Sequence, residues 1–271
     1  MLRPTARVRG NPLFRTLARL SRQYLKWYGN GSYKPERNGE RWLLERLARA
    51  DLRTILDVGA NVGNWARIAA GAFPAATIFA FEIVPATFER LRAQTAGSPQ
   101  IHPVSRGLAD HAGQLPIRYH PSASTHATFT AYPHGWTGET LNCEVTTGDA
   151  FLAQERLAAV DFLKLDVEGA EHLVLQGFGH ALAHRRIRFV QFEYGRVNAL
   201  TGFLLKDFYD LFAAHGYVVG KIYPDYVDAR PYELGDEDFL GPNYLACRRE
   251  EPELMRLRGV TAAATPPRDS G

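Results

Sequence analysis

Cysteine is scarce in this chain: there are two among 271 residues, Cys143 and Cys247. Two thiols so far apart give neither zinc-site spacing nor a disulfide framework. Both are expected as small buried hydrophobes, in a chain whose default location is a reducing cytoplasm. Long apolar runs are also missing. No stretch approaches the ~20 residues a membrane-spanning helix needs, and the N-terminus lacks the apolar core of a secretory signal. Charge is modest, with 23% charged residues and a net charge of +3, which makes no case for a nucleic-acid partner. Acids are absent before Glu36, whereas Arg3, Arg7, Arg9, Arg15, Arg19, Arg22 and Lys26 all precede it. Apolar residues are plentiful at 45%, enough to fill the core of one domain of ordinary-to-large size.

The acid-free leader is patterned. Leu13, Leu17, Leu20, Tyr24 and Trp27 fall three or four apart with Arg15, Arg19, Arg22 and Lys26 between them, which predicts a basic amphipathic helix. Such a helix can lie on an anionic membrane surface, which would bring the protein to the inner face of the membrane. The preferred alternative packs it on its own domain or on a second subunit. The stretch GNGSYKPERNGE (29–40) reads as a loop by composition. The division expected is a basic extension over 1–37, one catalytic domain over 38–250 and a flexible tail over 251–271.

From residue 40 onward helical and strand patterns alternate, which predicts a mainly parallel sheet with helices on both faces. Ile55, Leu56 and Val58 form a short buried strand, and Trp65, Ile68, Ala69 and Phe73 then recur at helical spacing. Between them, Gly59 and Gly63 allow backbone conformations closed to other residues. The loop ends at a helix N-terminus, which favours an anionic ligand group. A second strand, Thr77 to Phe81, ends at Glu82, 19 residues after Gly63. That matches the ~20-residue spacing at which doubly wound folds set an acid against ribose hydroxyls.

The loop does not suit a dinucleotide. The glycines required for close pyrophosphate approach are replaced by Asn61 and Asn64, and Asp57 puts a negative charge nearby. A nucleoside with a cationic centre and a carboxylate fits better, as in S-adenosylmethionine. The candidate cofactor residues are Asp57, Gly59, Ala60, Asn61, Gly63, Asn64, Glu82 and Ile83. An NAD-dependent oxidoreductase with a variant loop is the enzyme alternative, and a non-catalytic nucleoside-binding protein is the other.

Further on, Val160 to Leu165 is a strand ending at Asp166, with Lys164 on the same side of the sheet and able to pair with it. Glu168, Gly169 and Glu171 are expected to start the next helix, where acids are ordinary dipole partners. Arg188 to Phe192 is a strand that delivers Glu193 to the same edge, and 217–223 and 243–249 close the sheet.

The segments LDVGANVGNW (56–65), FEIVPATFERL (81–91), DFLKLDVEGAEHLVLQGF (161–178), FVQFEYG (189–195) and PNYLACR (242–248) resemble the FkbM-type S-adenosylmethionine-dependent methyltransferases. The resemblance covers roughly residues 38–248. It implies a class I methyltransferase (Rossmann-like) fold: a doubly wound, mainly parallel, seven-stranded sheet with an antiparallel last strand. It also supports an adenine-side role for Asp110 in the loop GLADHAG. The reaction implied is O-methylation of a hydroxyl on a sugar, glycan or secondary metabolite.

An alcohol acceptor benefits from a general base or a metal. Asp166 is the first candidate for base or substrate orienter, Glu193 the second, and Lys164 their polar neighbour. Mg²⁺ held between Asp166 and Glu193 is a weaker option, since Tyr194 and Gly195 follow Glu193 where a further ligand would be wanted. Residues 115–147 read as an irregular loop suited to acceptor recognition. His111, His120, His126 and His134 match no compact ligand motif and are taken as loop or acceptor contacts. A homo-oligomer is left open.

Overall fold

The computed structural model describes residues 5–119 and 139–258. Two helices, α1 (Ala6–Gly10) and α2 (Pro12–Tyr28), lead into a loop and then α3 (Glu40–Leu47). The alternating core follows: β1 (Thr54–Val58), α4 (Asn64–Ala72), β2 (Thr77–Phe81), α5 (Pro85–Thr95) and β3 (Ile101–Val104). Next come β4 (Gly107–Leu108), β5 (Gly113–Tyr119), β6 (Glu139–Thr146) and α6 (Gly148–Gln154). The second half contains β7 (Val160–Leu165), α7 (Glu171–Gly177), α8 (Gly179–Ala183), β8 (Ile187–Glu193), α9 (Asn198–Thr201) and α10 (Leu205–Ala214). It ends with β9 (Tyr217–Ile222), β10 (Val227–Asp228), β11 (Asn243–Arg248) and α11 (Leu254–Leu257).

The main sheet has the order β10-β9-β11-β8-β7-β1-β2-β3. Strands β3, β2, β1, β7 and β8 run parallel, while β11 pairs antiparallel with both β8 and β9. The expected seven strands are therefore present, and the two-residue β10 adds an eighth at the edge. The chain winds outward from β1 through β2 to β3, then returns to the other side of β1 with β7. That reversal opens a crevice at the carboxyl ends of β1 and β7, where open α/β sheets place ligands.

Strand alternation divides the core between the two faces. Ile55, Ile78, Phe162 and Phe189 pack under α3 and α4 with Leu43, Leu44, Trp65 and Ala69. Leu56, Leu163, Val190 and Phe192 face α6, α7 and α10 through Phe151, Val174, Phe178, Phe208 and Phe212. Each such side chain contributes about 1.5–3 kcal/mol by leaving water. Cys143 and Cys247 are unpaired and buried, as their scarcity predicted.

Two expectations need correction. Part of the region read as irregular from 115 to 147 is ordered: β5 and β6 pair antiparallel and, with β4, form a second three-stranded sheet. Residues 120–138, including His120, His126 and His134, lie outside the described residues. The tail expected from 251 onward starts in packed structure: Leu254 and Leu257 are buried in α11, and Glu251 pairs with Arg188 and Arg248. The loop over 29–40 is likewise tied down. Asn30 Nδ2 donates to the carbonyls of Asn38 and Ile222, both at 2.8 Å, and Asn38 donates to Glu40 at 2.9 Å.

Candidate active site

The carboxyl ends of β1, β2, β7 and β8 open into one cavity of about 720 Å³, within the usual range for small-molecule sites. Gly59 is what lets the β1 and β7 ends approach. Its φ is +85°, and a Cβ there would fall 1.9 Å from the carbonyl oxygen of Asp166. The amides of Gly59 and Ala60 donate to the carbonyl of Phe81 at 3.1 and 2.8 Å, so this loop binds β1 to the end of β2. Gly63, also left-handed at +81°, caps α4 without a side-chain hydrogen bond.

A row of polar side chains crosses the α3/α4 face of the sheet behind the cavity. Asp57 is in register with Lys164, and Lys164 with Gln191. The side chain of Lys164 is 4% exposed, with Nζ 2.9 Å from Asp166 Oδ2 and 3.9 Å from Asp57 Oδ1. Burial alone would lower its pKa. The charges of Asp166, Asp57 and Glu40 outweigh that and raise it. Asp57 is fully buried, and neither oxygen has a hydrogen-bond partner among the described residues. Burial pushes its carboxyl up to about 6, with Lys164 pulling the other way. Gln191 extends the row, donating to Glu40 at 2.6 Å and Asn243 at 3.0 Å.

On the cavity side, burial raises Glu193 well above the ordinary glutamate range, with Asp166 adding to the effect and Lys164 opposing it. Glu82 is also buried. Its Oε1 accepts from Val84 N at 2.8 Å, and burial raises its carboxyl to about 7 against that bond. Glu171 is not in the cavity wall. Its Oε1 accepts from Val167 N at 3.0 Å, closing the loop between β7 and α7.

The cavity brings together Gly59, Asn61, Glu82, Ile83, Asp166 and Glu193 of the sequence-derived set. It does not bring in the rest. Asp57 and Lys164 stand behind it, and Ala60 is buried in the core under α4. A Cβ at Gly63 would meet Leu91 and Thr95, and Asn64 accepts from Arg67 at 2.8 Å on the outer face. Asp110 is also outside the wall, its carboxylate 2.7 Å from His111 Nδ1.

Glu168, Tyr33, Arg106 and Arg196 are among the wall residues outside that set. Glu168 is not the start of a helix: it sits at φ +50°, next to Gly169 at +98°, and α7 begins only at Glu171. Left-handed non-glycine residues cost about 1–3 kcal/mol and collect at functional sites. Tyr33 comes from the 29–40 loop, Arg106 from the turn after β3, and Arg196 from the turn after β8. The Arg196 guanidinium forms no hydrogen bond or ion pair with another described residue.

The wall is chemically divided. Phe81, Ile83, Leu108, Leu115 and Ile117 give one end an apolar lining beside Glu82, while Asp166, Glu168 and Glu193 make the other acidic. The carboxylate of Glu82 can accept from a vicinal diol, the apolar wall can face a purine, and the acidic end favours a cation. These residues fit an adenosyl sulfonium better than a pyrophosphate. Among the described residues no three His, Cys, Asp or Glu side chains are gathered as a metal-holding group.

A model of the methyltransferase FkbM domain matches residues 57–219. The hexuronic acid methyltransferase AglP of Haloferax volcanii is 31% identical over 145 residues, covering 52% of this chain and 56% of that protein. The 31-O-demethyl-FK506 methyltransferase FkbM of Streptomyces tacrolimicus is 28% identical over 193 residues, 61% of this chain and 72% of its own length. The chain thus spans about half the length of AglP. A solved methyltransferase FkbM from Methylobacillus flagellatus aligns at 16% identity with a TM-score of 0.44, over 73% of this chain and 44% of that one.

Proposed function

The chain belongs to the methyltransferase FkbM family, and from that premise we propose that it methylates a hydroxyl of a sugar, glycan or secondary metabolite. The observation that carries this reading is a single cavity with Glu82 at its apolar end and Asp166 and Glu193 at its acidic end. S-adenosylmethionine, when bound, supplies an activated methyl group on a good leaving group. The protein then has to hold, orient and deprotonate the acceptor.

In this reading Glu82 accepts the ribose hydroxyls, Ile83 and Leu108 cover the purine, and the acidic end draws the cationic centre. Glu193 takes the acceptor proton. Asp166 already accepts a hydrogen bond from Lys164, whereas burial raises the proton affinity of Glu193. We therefore place Glu193 ahead of Asp166 as general base, with Asp166 orienting the acceptor and Lys164 fixing Asp166. Asp57 acts through Lys164 and not on the ligand. Mg²⁺ between Asp166 and Glu193 remains a secondary reading, supported only by the nearness of two carboxylates.

Arg196 and Tyr33 at the cavity wall suit an acceptor with an anionic or hydroxyl-rich face. A hexuronic acid, the substrate in AglP's name, carries both. The test is a single-turnover reaction with methyl-labelled cofactor and a panel of neutral and uronic glycans, read by mass spectrometry. A product one methyl heavier supports the reading. Hydride transfer to NAD without methyl transfer overturns it.

A further inference from the structure

We propose that α2 docks the protein on the surface of an anionic lipid bilayer. The helix has no buried residue along its 17 positions, about 26 Å at 1.5 Å per residue. Leu13, Leu17, Leu20, Tyr24, Trp27 and Tyr28 are 49–75% exposed. At about 100° per residue these six cover about 100° of the helix surface. Arg15, Arg19, Arg22 and Lys26 fall within about 60° on the opposite side. Tyr24 lies 5.9 Å from Trp27 and 6.0 Å from Tyr28, ring centre to ring centre. This aromatic group is amphipathic, of the kind found at membrane–water boundaries.

An apolar stripe backed by a purely cationic face is the pattern of helices that lie in the bilayer interface. α1 adds Arg7 and Arg9, and no acid precedes Glu36 to repel anionic headgroups. A second copy of the chain could cover the apolar stripe but would leave the cations without a partner; an anionic bilayer engages both. The helix is also rooted firmly enough to transmit docking. Gly29 N and Gly31 N return to the carbonyls of Leu25 and Lys26 at 2.8 and 2.7 Å. The loop that follows is pinned through Asn30, and its Tyr33 lines the cavity. The docking itself does not depend on the methyl-transfer reading.

The experiment is flotation of the full chain with phosphatidylcholine vesicles, with and without phosphatidylglycerol, in the absence of cofactor. Binding is expected only to the anionic vesicles. It should weaken more than about tenfold in R15E/R19E/R22E/K26E, given the worth of each basic residue at a charged surface. It should also weaken in L17S/L20S/W27S, whose charge is unchanged. Both variants should keep the thermal midpoint of the parent, because every substituted side chain is exposed. No affinity for anionic vesicles, or equal affinity in the variants, overturns the proposal. So does a concentration-dependent dimer that L17S/L20S/W27S dissolves while vesicles are ignored, an outcome that assigns the stripe to a second copy.

Discussion

Lys164 Nζ donates to Asp166 at 2.9 Å from a position where its own side chain is 4% exposed. A buried cation beside two carboxylates is expensive to break by halves, because removing one partner leaves charge stranded in the core. Lys164→Met should destabilise the protein by about 3–5 kcal/mol, measured by urea unfolding at neutral pH. The loss should shrink in the double variant with Asp57→Asn, which removes the most deeply buried of the stranded acids. A double-variant loss equal to the sum of the Lys164→Met and Asp57→Asn losses would show that Asp57 and Lys164 are not coupled.

Glu193→Gln should lower turnover by about 10²–10⁴-fold, the range for loss of a general base. Cofactor affinity should fall far less than turnover, because Asp166 and Glu168 keep that end of the cavity acidic. Because burial and Asp166 raise the Glu193 pKa, parent turnover should climb with pH on the alkaline side of the ordinary glutamate range, as the proton leaves. The residual activity of Glu193→Gln should lack that rise. A preserved rise in Glu193→Gln, but not in Asp166→Asn, would hand the base role to Asp166.

Arg196→Ala should raise the acceptor KM with little change in kcat, since its guanidinium lines the cavity and has no hydrogen bond or ion pair with another described residue. The effect should be largest with uronic glycans and small with neutral ones. Equal effects on both would remove the anionic group from the description of the acceptor.

The halves of the site differ in how legible they were. β1, β2, β7 and β8 could be read because each is a short apolar run ending at an acid or a glycine, and the two-residue strand period alone put Lys164 beside Asp166. The far wall was harder. Leu115, Ile117 and Tyr119 alternate with Gln114, Pro116 and Arg118, and across the register Cys143 faces Leu115 and Leu141 faces Ile117. That period-two signal was present, but a polar, Thr- and His-rich neighbourhood masked it. Tyr33 had no local signal at all, because its place is set by Asn30 reaching Ile222, 192 residues away. Glu168 was misplaced for a different reason. Acids at helix starts are common, and nothing in the sequence announces that Glu168 turns left-handed before the helix begins.

The most direct test of the account is calorimetric titration of S-adenosylmethionine into the parent and Glu82→Ala across pH 5.5–8.5. Binding should weaken in Glu82→Ala by about 1.5–3 kcal/mol, the worth of hydrogen bonds to a charged group. The Glu82 carboxyl is raised to about 7 in the fold, and the ionised form accepts the diol. Parent affinity should therefore fall as pH drops below 7, and more steeply than that of Glu82→Ala, which keeps only the titration of the acidic end. Absence of binding, or parent and variant curves that coincide at every pH, would contradict the claim that this cavity grips an adenosyl sulfonium by its ribose.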